Sequence, residues 1–477
     1  LINEIKKEQD WKNTLLMTGK HYTKKSLENA RIILENFPIL KGVIGYDEFS
    51  DRITICEDVP EWHLKKGVLD SKAEKNIRAG IEQDESLGHY LIPKETFRDG
   101  VVPAAMDNSY NPIKEWIESK KWDGTERAEN YFIDNLGANY DDNNELHYVH
   151  QATRLMLLGA IARLYYPGIK FDYVVILQGK QGIGKTAAVN KLCPNDKFFT
   201  SSLKSMGKGK EDSIDLQGYW LVELGELSAL SASSLQDTKN FITIKYDNYR
   251  DPYATDNTPH PRKCIFVGTT NQDSYLKDKT GERRFLPINC LGNDGKLFKQ
   301  SKGYFQQVMA EAKTWLDILT SKYKDEDSQR NVVEAALLLD DDAKAIAIKK
   351  RDAAKIEDLA DDDIKDFLTL KIPSSWEKLT EYQKRDYFQH RNNPIYRSTH
   401  KELLDSKETF KQIDNFSTKE ALYIIFGVRM EKNMNKSERE LQSKLNESAQ
   451  ASGMWEKAEH IGRTKFSSGL RGYVRKK

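Results

Sequence analysis

Apolar and polar positions change rhythm several times along this chain, and the changes divide it. From Pro112 to Tyr166 the spacing is helical, with Trp116, Ile117 and Phe132 early and a nearly continuous apolar face through Leu155, Leu157, Leu158 and Ile161 later. Pro167-Gly168 ends that stretch. Residues 170–290 then alternate short β-rich runs with helical or loop segments: Tyr173 to Leu177, Lys197 to Thr200, Tyr219 to Leu224, Cys264 to Thr269 and Phe285 to Ile288. That rhythm predicts a three-layer α/β core. Residues 1–105 mix short apolar runs, such as Ile53 to Ile55, with helical stretches such as Lys25 to Asn36, and predict a small α-rich domain. After about residue 300 the pattern is helical again, with Asp340 to Asp342 and Asp361 to Asp363 as solvated helix ends. The expected division is an N-terminal domain over 1–105, a helical collar over 106–169, the α/β core over 170–300, a helical linker region over 301–400 and a C-terminal domain over 401–477.

The last of these reads as a winged helix. Ser417-Thr-Lys-Glu420 is a capping box opening a helix over Ala421 to Phe426, and Gly427 closes it. A second helix runs from about Ser437 to Ala449, and the tail from Ile461 to Lys477 carries Arg463, Lys465, Arg471, Arg475, Lys476 and Lys477 without an acid. A basic run beside a helix-turn-helix-like pair is a footprint for duplex DNA, with Arg439, Arg471 and Arg475 as contact candidates. The competing expectation is a basic terminus with no fold.

Bulk composition narrows the class without naming a partner. The 74 basic and 73 acidic residues nearly cancel, so any nucleic-acid site must be a local patch. A charged fraction of 31% and no run near the roughly 18 apolar residues of a membrane span exclude a membrane protein. The four cysteines are too scattered for a disulfide scaffold or a zinc site and fit a reducing cytoplasm. His147 and His150, three apart, lack a third ligand nearby and read as helix surface. No fixed-period repeat points to a solenoid. The chain opens with Leu1, so upstream sequence is expected.

Residues 179–186 read Gly-Lys-Gln-Gly-Ile-Gly-Lys-Thr, the P-loop pattern, directly after the apolar run Val174 to Leu177. Glycines let backbone N–H groups close on a β-phosphate, and a following helix N-terminus favours its charge. Gly179, Gln181, Gly182, Ile183 and Gly184 would form that cradle for ATP; Lys185 would reach the β- and γ-phosphates, and Thr186 would place its hydroxyl on Mg²⁺. A second strand, Trp220-Leu221-Val222, runs into Glu223 and then Glu226, carboxylates suited to Mg²⁺ and the attacking water; their division of labour stays open, with Glu223 as the metal-side candidate. A third ends in Gly268-Thr269-Thr270-Asn271, where the Asn271 amide would orient water. Arg283 and Arg284 would supply an arginine finger, or else close a salt-bridged loop.

The ordered set Gly179 to Thr186, Glu223 to Glu226, Gly268 to Asn271 and Arg283-Arg284-Phe285 resembles the virulence-associated protein E family of phage and pathogenicity-island replication proteins. Trp122-Asp123-Gly124 with Arg127, Pro167-Gly168 and Tyr249-Arg250-Asp251-Pro252-Tyr253 extend the likeness over about 110–290. That family resembles superfamily-3 helicases of the AAA+ group. The resemblance implies a P-loop NTPase core with sheet order 5-1-4-3-2, a ring binding ATP between subunits, an arginine finger acting in trans and single-stranded DNA gripped in a central pore. A hairpin projecting into that pore would fall at Tyr249 to Lys263, making Arg250, His260, Arg262 and Lys263 candidates for phosphate contact. Arg250 and Arg262 have an alternative in local acids such as Asp251 and Asp256.

The expected function is thus an ATP-driven, hexameric DNA helicase and replication initiator of a phage or mobile genetic island, in a bacterial host's cytoplasm. A DNA-dependent ATPase that loads another replication factor without unwinding shares all these residues. A small-molecule P-loop kinase would not need the arginine pair, the hairpin or a basic winged helix. A primase, if the protein carries one, would lie upstream of Leu1.

Overall fold

The computed structural model describes residues 11–19, 23–201, 210–225, 232–249, 257–276, 282–354, 359–391, 409–428, 436–461 and 470–476. Two compact units divide the chain, residues 1–355 and 356–477.

The first unit opens with α1 (Leu27–Asn36), whose first turn is capped by Ser26 accepting from the Asn29 N–H. A hairpin of β1 (Ile44–Asp47) and β2 (Arg52–Ile55) follows, then β3 (Gly67–Val68), α2 (Ser71–Gln83), α3 (Lys94–Met106) and β4 (Ser109–Tyr110). These strands form a four-stranded sheet in the order β3-β2-β1-β4. Helices α1, α2 and α3 share with it a cluster running from Trp11 to Ala105. Beside the helices expected for 1–105 the structure thus places a small sheet, whose strands are two to four residues long, too short for alternation to register as a pattern.

Next come α4 (Pro112–Glu118), α5 (Tyr131–Leu136) and the long α6 (Asn143–Tyr165), which Asp142 caps by accepting from the Glu145 N–H. From Leu155 to Leu164 every residue of α6 is buried, so this helix has apolar neighbours on all sides. One side faces a sheet built from β5 (Val174–Gln178), β6 (Phe199–Thr200), β7 (Leu221–Leu224), β10 (Ile265–Thr270) and β11 (Phe285–Asn289). Its order is β11-β5-β10-β7-β6 with every neighbouring pair parallel; counting only these five strands along the chain, that is 5-1-4-3-2. Between them lie α7 (Lys185–Asn190), α8 (Ala232–Ile242) and a separate antiparallel pair, β8 (Tyr246–Tyr249) with β9 (Thr258–Pro261).

The other side of α6 takes α9 (Lys302–Thr320) and α11 (Asp341–Ala353), with α10 (Glu326–Ala336) between them in sequence. One hydrophobic cluster therefore runs from Phe49 to Ala347, and the expected divisions at 169/170 and 300/301 do not part it. Buried Arg163 ties α6 to the sheet by donating to the carbonyls of Cys264 (2.7 Å), Phe171 (2.9 Å) and Ile169 (3.3 Å). Trp220 donates to the Ala160 carbonyl at 3.0 Å.

The second unit contains α12 (Leu359–Leu368), β12 (Lys371–Pro373), α13 (Glu381–Gln389), β13 (Phe410–Gln412), β14 (Asn415–Ser417), α14 (Thr418–Phe426), α15 (Lys436–Ala451), β15 (Trp455–Ile461) and β16 (Leu470–Arg475). The stretch 301–400, expected as one linker region, is thus divided: its first part packs on α6, and α12 and α13 belong to the core of this second unit. Ser417 caps α14 by accepting from the Glu420 N–H, and Gly427 closes it at φ +73°. β14-β16-β15 form an antiparallel sheet with β16 in the middle. The described part of the basic tail is therefore folded: residues 470–475 are the sheet's central strand, with Tyr473 buried against Phe416. No helix among the described residues is long and apolar enough to cross a membrane.

Candidate functional site

Central strands of a parallel sheet are covered on both faces, so their side chains become accessible only at the carboxyl ends. β5, β7 and β10 end together there. β5 feeds the loop 179–184, in which Gly179, Gly182 and Gly184 have φ values of +154°, +85° and +95°, a region that L side chains rarely enter. A Cβ on Gly179 would lie 2.1 Å from the Cys290 carbonyl oxygen, so this glycine is required by packing as well as by φ. Ile183 packs back against Gly179 and Gly292 and anchors the loop from below. Gln181 and Gly182 are exposed at its crest, and α7 begins at Lys185.

The Lys185 ammonium lies inside the loop, donating to the Gly179 carbonyl (2.7 Å), the Lys180 carbonyl (2.8 Å) and Asn271 Oδ1 (2.8 Å). An ammonium has three donors, and all are engaged. Burial lowers its pKa, while Glu223 nearby acts in the opposite direction. Thr186, exposed one residue on, donates to Glu223 Oε1 at 2.7 Å. Thr269 donates to the same oxygen at 2.6 Å.

Strand register explains this convergence. Val267 on β10 is level with Glu223 on β7, and alternation puts Thr269 and Asn271 on the same side, towards α7. Glu223, only 3% exposed, is thereby joined to the loop through Thr186, and Asn271 through Lys185. Sequence reasoning took Asn271 from this strand end and passed over Thr269. The alternation that would have found it was already in the residues.

The remaining candidates are dispersed. Arg283 is exposed, whereas Arg284 is half-buried, with an Nε that is buried and meets no hydrogen-bond partner among the described residues. Glu226 and Arg250 lie outside the described residues, as do residues 251–256 at the expected hairpin tip.

Two of the DNA-contact expectations on the hairpin need correction. Arg262 is 2% exposed and pairs with Asp247, its Nε 2.9 Å from Oδ2 and its Nη2 2.5 Å from Oδ1. Lys263 reaches Asp51, 2.8 Å from each carboxylate oxygen, and the carbonyls of Glu48 and Phe49. Both cations are held by internal acceptors; Asp251 and Asp256, the local acids expected for Arg262, lie outside the described residues. His260 stacks on Tyr249 with ring centroids 3.8 Å apart. A cavity of about 40 Å³ borders Arg262, Lys263 and His260, and no residue of the 179–186 loop lines it.

Arg439 and Arg471 are exposed in the second unit, on α15 and β16. Arg475 is partly tied down, donating to the Ile413 carbonyl at 3.4 Å beside the Trp455 ring. His147 lies 2.7 Å from Asp340 Oδ2, and His150 lies 2.9 Å from Asn130 Oδ1. Asp123 and Arg127 form a doubly bonded pair at 2.8 Å around the turn at Gly124, so that motif builds a loop that Glu311 braces by accepting from the Arg127 and Ala128 N–H groups.

Comparison with known proteins bears on this arrangement. No curated protein matches the chain. Among solved structures it is similar to the A-form apo structure of the NrS-1 C-terminal region, at 13% identity and a TM-score of 0.42 over 95% of this chain and all of that one. A second apo structure of that region gives 14% and 0.42, covering 93% and 98%. Residues 117–337 match the model of the virulence-associated protein E-like domain. The stretch that holds the glycine loop, Glu223, Asn271 and both arginines lies within that match.

Proposed function

We propose that this chain is a magnesium-dependent ATPase that works on DNA as a ring-forming, hexameric helicase and replication initiator of a phage or mobile genetic island. The observation that carries the reading is the hydrogen bond from Thr186 to Glu223, which joins the end of a glycine loop to a carboxylate on a neighbouring strand. A hydroxyl and a carboxylate in contact at the mouth of such a loop suit a divalent cation, and the positive-φ glycines suit phosphate oxygens. The residues present therefore fit Mg²⁺ and a nucleotide triphosphate. When bound, Mg²⁺ would neutralise phosphate charge.

This chain's own groups do the rest. Backbone N–H groups from Gly179 to Lys185 hold the β-phosphate, Lys185 offers its ammonium to the β- and γ-phosphates, and Asn271 orients water. Glu223, already bonded to Thr186, takes the metal-side role, which leaves activation of water to Glu226. Arg283, the exposed member of its pair, is the one available to an adjoining subunit's site. Strand order β14-β16-β15, with α14 and α15 between β14 and β15 in the chain, supports reading the second unit as a winged helix for duplex DNA.

The test is displacement of a labelled strand from a forked duplex by the full chain with ATP and Mg²⁺. Displaced strand accumulating only while ATP is hydrolysed is the expected result. DNA-stimulated hydrolysis with no strand released would overturn the helicase reading in favour of an ATPase that loads another factor.

A further inference from the structure

We infer that Thr269 is a positioning residue for the ATPase site: its hydroxyl, together with that of Thr186, fixes the Glu223 carboxylate for magnesium. The inference rests on the ATPase reading above. Both hydroxyls donate to Oε1, at 2.6 Å from Thr269 and 2.7 Å from Thr186. Bonds to an ionised acceptor are stronger than those between neutral groups.

A glutamate has one more rotatable bond than an aspartate, so a single hydroxyl in the first turn of α7 would leave its carboxylate free to swing about that contact. The second bond comes from a different element, the central strand β10, and converts a pivot into a fixed orientation. Thr269 suits this task because β-branching restricts its χ1 and because it is buried in a strand paired on both sides. Its neighbour Thr270 shows the contrast. That side chain points to the other face and accepts from the Gln272 N–H at 3.2 Å, a turn-closing bond that leaves the carboxylate alone.

A threonine that merely satisfies a buried acid predicts a different phenotype from one that orients a metal-side carboxylate. The full chain would be compared as wild type, Thr269→Val, Thr269→Ala and Thr269→Ser. Turnover would be followed against magnesium concentration, and melting temperature with ADP would be followed with and without Mg²⁺. Both hydroxyl-free variants should lose about 10- to 100-fold in kcat, the worth of one hydrogen bond to a charged group. They should also need roughly 10- to 100-fold more magnesium, as when a bond orienting a metal ligand is lost. The extra stabilisation that Mg²⁺ gives the ADP-bound chain should shrink, while ADP affinity without magnesium is retained. Thr269→Ser should restore both readouts. If Thr269→Val fails to fold, the Ala and Ser variants still differ only in the hydroxyl. Unchanged kcat and magnesium response in the hydroxyl-free variants, or a Ser variant no better than Ala, would overturn the inference alone. A wild-type chain without magnesium-dependent turnover would overturn the ATPase reading itself.

Discussion

The Lys185 ammonium makes two bonds to carbonyls of its own loop and a third beyond it, so phosphate oxygens entering the loop must replace acceptors already in place. One of these is Asn271, which couples the loop to the end of β10 before any nucleotide arrives. Arg262 shows the opposite use of a cation. With Asp247 it forms a buried pair whose side chains are 1% and 6% exposed. Removing one partner of such a pair leaves the other charged and desolvated, which costs about 3–5 kcal/mol. Arg262→Ala should accordingly lower unfolding stability by that amount in a denaturant titration, and Asp247→Ala should do the same. A loss below about 0.5 kcal/mol, the scale of ordinary surface substitutions, would contradict the buried-pair account. The basic character of Arg262 and Lys263 was legible in the sequence, but their partners were not. Asp247 stands fifteen residues before Arg262 across an antiparallel register, and Asp51 stands 212 residues before Lys263. No local pattern encodes either contact.

Elements were read best where period and length were both strong. The five core strands were expected within a residue or two of where they lie, because each is an apolar run bounded by turn residues, and α6 was expected from its long helical spacing. Short elements escaped: β3 and β4 have two residues each, too few to show a period. In the second unit, the capping box at Ser417 announced α14, while the middle position of β16 could not be seen in a tail rich in arginine and lysine. Arg439 on α15 and Arg471 on β16 are the exposed cations expected to meet phosphates. Deleting residues 356–477, a unit with its own hydrophobic cluster, should remove salt-sensitive duplex binding and spare ATP hydrolysis. Fluorescence anisotropy against duplex DNA at several salt concentrations should give a log–log slope of about −0.9 per phosphate contact for the intact chain. Unchanged binding after the deletion would place the duplex affinity in the first unit.

At the scale of the molecule, every described residue assigned to the nucleotide lies between Gly179 and Arg284, within the stretch that matches the virulence-associated protein E-like domain. Glu223, Asn271, Lys185 and Thr186 complete a connected set within one chain. Arg283 joins none of the site's hydrogen bonds among the described residues and is exposed, as a group acting on a neighbouring copy should be. The sequence carried the membership of that set through its motif order, whereas which residues touch depends on strand register. The most direct measurement is steady-state, magnesium-dependent ATP hydrolysis by the wild type, by Lys185→Ala, by an Arg283→Ala, Arg284→Ala double variant and by mixtures of the two variants. Lys185→Ala should abolish turnover with an unchanged circular dichroism spectrum, and the double variant should lose roughly 10³–10⁵ in rate. Mixtures should recover part of the activity by pairing an intact loop with an intact arginine. A folded Lys185→Ala chain that hydrolyses ATP at the wild-type rate would contradict the account.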